Sequence, residues 1–272
     1  MLYNQTLQQL DELNLGGMTK AYREMEQDTH WQEQRFDERL AFLVNEEYER
    51  RMNNRVKNRL RNAHFKQTAR LSDLDYASER QLNRDFVDRL ATNQWIKNHE
   101  NLVITGATGT GKSFLAQALG DHACRYDYKV CYYRLPELLS ELKFGKDADI
   151  YNQVRQKLQR QDVLILDDWG LAMLDVPSGY EIAELVEDRL HKRSTIVVSQ
   201  YPIAAWDRIF QDKTTADAVM DRLISLAYPI ELKGPSLRDN AASQELRAYK
   251  QAICTPRPSR KSRTGFTGVA RV

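Results

Sequence analysis

Residues 106 to 113 read Gly-Ala-Thr-Gly-Thr-Gly-Lys-Ser, an intact G-x-x-x-x-G-K-[ST] pattern. It constrains the fold more than any other feature, because such a loop works only between a strand and a helix. Asn101 to Thr105 supplies a short apolar strand before it, and residues 114–125 supply a helix with apolar Phe114, Leu115, Ala118 and Leu119. That arrangement aims several backbone N–H groups at one point, and the helix dipole adds positive potential there. Lys112 is placed to reach the β- and γ-phosphates of a nucleoside triphosphate, and the Ser113 hydroxyl to ligate Mg²⁺. Gly106, Gly109 and Gly111 permit backbone angles and a close approach that a Cβ would block. The expected cradle for a nucleoside triphosphate is therefore Gly106, Ala107, Thr108, Gly109, Thr110, Gly111, Lys112 and Ser113, with Phe114 behind it.

Downstream, Val163-Leu164-Ile165-Leu166-Asp167-Asp168 is an apolar run ending in two carboxylates. A continuous apolar strand suits a parallel sheet covered on both faces. Acids at its C-terminal edge lie where open α/β sheets hold their ligands. Asp167 is the expected Mg²⁺ partner of Ser113, and Asp168 the group that orients or deprotonates an attacking water. A third strand, Ser194 to Gln200, should lie beside the phosphate-loop strand and bring Ser199 or Gln200 to the γ-phosphate, Gln200 being assigned to nucleotide binding. Further on, Met220-Asp221-Arg222-Leu223 and Gly234-Pro235-Ser236-Leu237-Arg238 each offer an arginine able to neutralise charge on a transferring phosphoryl group.

The order of these parts, from phosphate loop through Leu-Asp-Asp-Trp-Gly, Arg-Ser-Thr-Ile-Val-Val-Ser-Gln-Tyr-Pro and Asp-Arg-Leu to Gly-x-Ser-x-Arg, resembles the AAA+ ATPases of the DnaC-like and IstB-like group. The resemblance extends to the N-terminal region through Phe36 to Val44, Glu47 to Arg51 and Asn54 to Lys66, which favours IstB-like transposition helpers over helicase loaders. It implies that Arg222 is an arginine finger supplied to a neighbouring subunit and that Arg238 sits where the family has its sensor-2 or ribbon arginine. It also implies an ATPase that assembles on duplex DNA as a ring or helical filament and stimulates a partner transposase. Asp168 stands where the wider superfamily usually has Glu and is one methylene shorter, which points to slow turnover. The alternatives are a DnaC-like loader of a replicative helicase and a non-hydrolysing architectural DNA-binding module.

The implied fold is α/β, an AAA+ P-loop NTPase with a parallel five-stranded sheet. A small all-helical domain precedes it, and its lid is reduced or absent. Strands are expected near 101–105, 129–133, 163–167, 195–199 and 228–232. The expected organisation is a helical DNA-binding and assembly domain (1–70), a helical linker (71–98), the ATPase core (99–240), a C-terminal helix (241–254) and a basic disordered tail (255–272). The apolar residues of 3–26 predict helix, broken at Gly16-Gly17 and serving as helical-bundle core; 36–66 predicts one or two further helices.

Net charge is only +2, but it is unevenly placed. Residues 50–70 carry Arg50, Arg51, Arg55, Lys57, Arg59, Arg61, Lys66 and Arg70 and no acid. Met52, Val56, Leu60 and Ala63 form an apolar stripe at helical spacing, leaving the cations on the remaining surface. Such a face suits phosphate-backbone binding without base reading, and Arg50, Arg51, Arg55, Lys57, Arg59, Arg61 and Lys66 are the expected DNA contacts. No apolar run approaches the ~18 residues of a membrane span. The start of the chain lacks a signal-peptide layout, and Cys124, Cys131 and Cys254 form no C-x-x-C pair, so reduced thiols in a cytoplasmic protein are expected. Tyr132-Tyr133 and Trp169 are expected to be packing residues, and the scattered histidines show no metal-ligand spacing.

Overall fold

The computed structural model describes residues 2–76 and 81–237. Residues up to Pro235 form one unit, and of a second, 236–272, only Ser236 and Leu237 are described. The expectations for Arg238, a C-terminal helix at 241–254, Cys254 and the basic tail lie outside the described residues.

Five apolar segments build the sheet: β1 (Asn101–Gly106), β2 (Val130–Arg134), β3 (Val163–Trp169), β4 (Ser194–Ser199) and β5 (Ala227–Leu232). Every pairing is parallel, and the order is β2-β3-β4-β1-β5. Parallel strands need long crossovers, and these are helical. They are α6 (Lys112–Arg125), α7 (Leu135–Asp147), α8 (Tyr151–Gln159), α9 (Val176–Arg189) and α10 (Lys213–Ile224). Strand alternation then divides the core. Leu102, Ile104, Ile165, Ile196 and Val198 pack with Leu115 and Leu119 of α6, whereas Val103, Leu164, Leu166 and Val197 pack with Leu138, Leu158, Ile182 and Val219.

Two polar clasps fix the start of the strands. Asn101 donates to the Leu223 carbonyl at 3.1 Å and accepts from the Thr195 N–H at 2.9 Å, which locks β1 to β4 and to the end of α10. Arg189 is fully buried and donates to the carbonyls of Leu158 (2.7 Å), Gln161 (3.1 Å) and Ser194 (2.5 Å). A guanidinium with that many carbonyl partners is satisfied without a carboxylate.

Before the sheet lie α1 (Leu2–Glu12), α2 (Gly16–Gln27) and the long α3 (Phe36–Asn62), followed by the short α4 (Arg84–Ala91) and α5 (Gln94–Lys97). The helix break falls earlier than Gly16-Gly17. It lies at residues 13–15, where Asn14 adopts φ 58. Gly17 is instead inside α2 and serves close packing: a Cβ there would meet the Glu46 carbonyl oxygen at 2.6 Å. The apolar stripe of 3–26 also differs from a bundle core. Leu7, Leu10, Leu15, Met18, Tyr22 and Met25 are only half-buried and Leu13 is exposed, because three helices cover one another on single faces. α3 does use its predicted stripe: Met52, Val56 and Leu60 are half-buried and Ala63 is buried.

The α2–α3 contact is centred on a charge. Glu47 is 6% exposed and accepts from the Gly17 N–H at 2.7 Å, from Arg50 at 2.8 and 3.1 Å and from Arg51 at 2.7 Å. The hydrogen bond from Arg50, reinforced by Arg51 and Gly17 against the cost of burial, holds the Glu47 carboxyl down at about 2. A carboxylate depressed in the folded state stabilises fully above its unfolded value and loses that contribution as pH falls toward the folded one. Glu47→Gln should therefore cost about 2 kcal/mol at neutral pH. Thermal unfolding checks this: the gap between wild type and variant should narrow below about pH 5. A gap independent of pH would show that the charge does not hold the two helices together.

Candidate nucleotide site

The phosphate loop joins β1 to α6 as expected. Gly106, Gly109 and Gly111 all take positive φ (145, 86 and 91), the region open to glycine. At Gly106 a Cβ would meet the Leu232 carbonyl oxygen of β5 at 2.2 Å, so the register of β1 and β5 demands glycine. Lys112 is 6% exposed, and its ammonium donates to the Ala107 carbonyl at 2.7 Å, across the mouth of the loop. Thr110 donates to the same carbonyl at 2.9 Å. Ser113 and Phe114 are half-buried in the first turn of the 14-residue α6. A helix start, a lysine and a serine hydroxyl at one point form a donor set that fits a triphosphate.

β4 lies beside β1, with Thr105 opposite Ser199. The two residues proposed as γ-phosphate contacts separate here. Ser199 is buried and donates to the Trp169 carbonyl at 2.8 Å, tying the ends of β3 and β4 together. Gln200 is exposed and accepts from the Thr108 hydroxyl at 2.8 Å, so of the two it is Gln200 that reaches the loop.

β3 ends in the two acids, and its geometry changes between them. Asp167 is 3% exposed; one oxygen accepts from the Asp168 N–H at 2.8 Å and the other from the Tyr132 hydroxyl at 2.7 Å. Burial first, and the Asp167 charge second, push the Tyr132 phenol well above its ordinary value, so it remains a donor. Asp168 takes the left-handed φ of 57, which Asp tolerates better than most residues, and Gly170 follows at φ 85. This turn breaks strand alternation. Both carboxylates consequently meet side chains two apart on β2: Tyr132 holds Asp167, and Arg134 forms an ion pair with Asp168. Ser113 and Asp167 offer a hydroxyl and a carboxylate suited to Mg²⁺ with phosphate and water completing its shell. Among the described residues, no group of three His, Cys, Asp or Glu forms a protein-only metal site.

Tyr132 is thus more than the packing residue expected, and Arg134 joins the site with no sequence motif to mark it. Their signal is weak in sequence: an i, i+2 polar pair at the end of a strand matters only once that strand is known to flank β3. Trp169 is packing, as expected, buried against Trp206 with ring centroids 5.4 Å apart. Cys124 and Cys131 are buried free thiols, pushed up by burial to about 12 and about 11.

Arg222 lies at the other edge of the sheet. It precedes Leu223, whose carbonyl holds Asn101 at the start of β1, whereas the phosphate loop follows the end of β1. Six strand residues separate the two, about 16 Å. Arg222 is one-third exposed, ion-paired with Glu187 and donating to the Ala218 carbonyl at 2.8 Å.

The basic stretch is partly neutralised. Arg50 and Arg51 serve Glu47, Arg59 pairs with Asp127 at 2.5 Å, and Lys66 with Glu137 at 3.1 Å. Among the described residues Arg55, Lys57 and Arg61 pair with no carboxylate, and all three are exposed. No helix among the described residues is long and apolar enough to cross a membrane.

The family model described as IstB-like ATP binding protein matches residues 8–245. The insertion-sequence ATP-binding protein y4pL of Sinorhizobium fredii is 40% identical over 240 residues, covering 88% of this chain and 98% of that protein. Among solved structures, DnaI superposes with a TM-score of 0.53 at 23% identity, over 66% of this chain and 92% of that one. AMPPCP-bound DnaA from Aquifex aeolicus gives 0.53 at 19% identity, over 68% and 56%. These two likenesses concern the fold, which is that of the AAA+ P-loop NTPases. The extent of the family match and the closeness of the Sinorhizobium relative place the chain in the IstB-like ATP-binding family of insertion sequences.

Proposed function

We propose that the protein is a cytoplasmic, ATP-hydrolysing transposition helper that binds duplex DNA with little sequence preference, assembles with copies of itself and assists a transposase. The observation that carries this reading is the division of the machinery between the two sheet edges. Lys112, Ser113, Asp167, Asp168 and Gln200 gather at the C-terminal edge, while Arg222 stands at the other, too far away to serve its own loop. A site so divided is completed by Arg222 of a second copy, which makes ATP an assembly ligand.

In this account the loop N–H groups and Lys112 hold the β- and γ-phosphates, with Gln200 and Arg238 as further nucleotide contacts. Mg²⁺, held by Ser113 and through water by Asp167, would neutralise phosphate charge. Asp168 orients the attacking water and accepts its proton as the water oxygen bonds to the γ-phosphorus and the bond to the β–γ bridging oxygen breaks, releasing ADP and phosphate. The neighbour's Arg222 neutralises the charge that develops on the transferring group, and must leave Glu187 to do so. The exposed apolar residues Phe36, Leu40, Val44 and Tyr48, spaced by four along α3, support self-assembly.

The exposed cations that pair with no carboxylate among the described residues give the DNA contacts a narrower basis than the sequence suggests. Arg55, Lys57 and Arg61 are the phosphate contacts, with Lys66 available if it leaves Glu137; Arg50, Arg51 and Arg59 are held by carboxylates. The insertion-sequence family supports a transposase as the protein partner.

Lys112→Ala should abolish ATP binding, measured by calorimetry, and with it nucleotide-dependent DNA binding in a filter assay. Undiminished binding of both ligands would refute the proposed cradle. Replacing Arg55, Lys57 and Arg61 together by Gln should weaken DNA binding alike across unrelated duplexes. It should also flatten the salt dependence by about three phosphate contacts per subunit. An unchanged salt slope would move the DNA surface elsewhere.

A further inference from the structure

The basic stretch and the phosphate-loop helix meet through one buried side chain. Gln117 of α6 is 2% exposed, and both ends of its carboxamide are engaged. Its Oε1 accepts from the backbone N–H groups of Lys66 and Gln67, at 2.8 and 3.2 Å. Its Nε2 donates to the Ser113 carbonyl, one turn earlier in α6, at 3.1 Å. Only an amide can serve both sides, because two donors face one end and a carbonyl faces the other.

Neighbouring contacts make this junction rigid. α3 ends at Ala63, whose carbonyl accepts from the Tyr132 N–H of β2 at 2.9 Å, and His64 turns the chain with φ 57. Phe65 then lies against Gly120 of α6, where a Cβ would meet its ring at 2.9 Å. Arg55, Lys57 and Arg61 occupy the last two turns of α3, directly before the junction. On the other side, Ser113 follows Lys112, whose ammonium donates to the Ala107 carbonyl at 2.7 Å. A triphosphate competes with that carbonyl for Lys112 and draws on the N–H groups of the same first turn. A fully satisfied buried network is stiff, so what fixes one end of it is felt at the other.

Resting on the nucleotide- and DNA-binding reading above, we propose that Gln117 is a positioning residue that couples the two ligands within a single subunit. A nucleotide that fixes the first turn of α6 fixes the Ser113 carbonyl. Through Gln117 it also fixes the backbone of Lys66 and Gln67 and the end of α3. Arg55, Lys57 and Arg61 are then held at one spacing, and less order remains to be imposed when a phosphate backbone binds them. Linkage makes the effect reciprocal, so duplex on α3 tightens nucleotide by the same factor. Three hydrogen bonds through one side chain support a modest factor, about fivefold. The coupling needs no second copy, unlike assembly through Arg222, so each subunit responds to nucleotide before any neighbour joins it.

The test uses the full-length protein with Arg222→Ala, which keeps the cradle and lacks the finger that assembly requires. Fluorescence anisotropy gives the affinity for a duplex too short for two subunits, with and without Mg²⁺ and AMPPCP. Calorimetry gives the affinity for AMPPCP with and without that duplex. With Gln117 intact, each ligand should tighten the other about fivefold. Gln117→Met, which keeps the length and loses both hydrogen-bonding ends, should remove both enhancements while each ligand alone binds as before. Gln117→Glu keeps the acceptor for the two N–H groups and loses the donor to Ser113. It should melt near wild type and still lose the coupling, which guards against a Met variant weakened by unpaired N–H groups. A purely structural role would lower the melting temperature and leave the enhancement unchanged. An enhancement unchanged in both variants overturns the coupling. Absence of any enhancement with Gln117 intact also overturns it, and leaves the proposed function standing with ATP and DNA linked through assembly alone. Failure of the wild-type protein to bind AMPPCP or duplex removes the proposed function and the coupling together.

Discussion

The parallel pairing of β3 between β2 and β4 is the constraint on which the rest of the site depends. It places the two acids at the same edge as the phosphate loop, one strand removed from it, and sets Tyr132 and Arg134 against them from the other side. Had β2 been absent from that flank, Asp167 would be a buried carboxylate lacking its phenol donor, an expensive state. The same topology sends α10 back to the opposite edge and leaves Arg222 there. A single sheet order therefore gathers the phosphate loop and both acids at one edge and leaves Arg222 at the other.

Much of this was legible in the sequence. The glycine positions of the phosphate loop, the five apolar strands and the acidic end of β3 each follow from local chemistry that tertiary context did not override. Other parts depended on pairings that no local pattern encodes. Gly17 reads as a helix breaker because its role as a contact surface exists only when α3 lies across it. Ser199 and Gln200 are adjacent and similar in sequence, and only the turn after β4 sends one to Trp169 and the other to Thr108. Tyr132 and Arg134 become site residues through the β2–β3 register alone.

The basic helix shows how composition can overstate a charged surface. The stretch 50–70 holds no acid, yet Glu47 sits just outside it and one turn away from Arg50 and Arg51. Asp127 and Glu137, distant in sequence, take Arg59 and Lys66. A run of cations in a folded protein is shared between structural and recognition roles, and the two separate only when the partners are known. Here Arg50 and Arg51 help hold α2 on α3, Arg59 and Lys66 reach Asp127 and Glu137, and the exposed Arg55, Lys57 and Arg61 lie toward the C-terminal end of α3.

The central claim is that the catalytic site is completed between copies. Mixing two inactive proteins tests it most directly. Lys112→Ala retains Arg222 but has no cradle, and Arg222→Ala retains the cradle but has no finger. Each alone should turn over ATP at least about 10³-fold more slowly than wild type. An equimolar mixture on duplex DNA should recover a substantial fraction of wild-type phosphate release, because interfaces that pair an intact cradle with an intact finger re-form. A mixture no more active than the two proteins measured separately, with mixed assembly verified by cross-linking, would contradict the account.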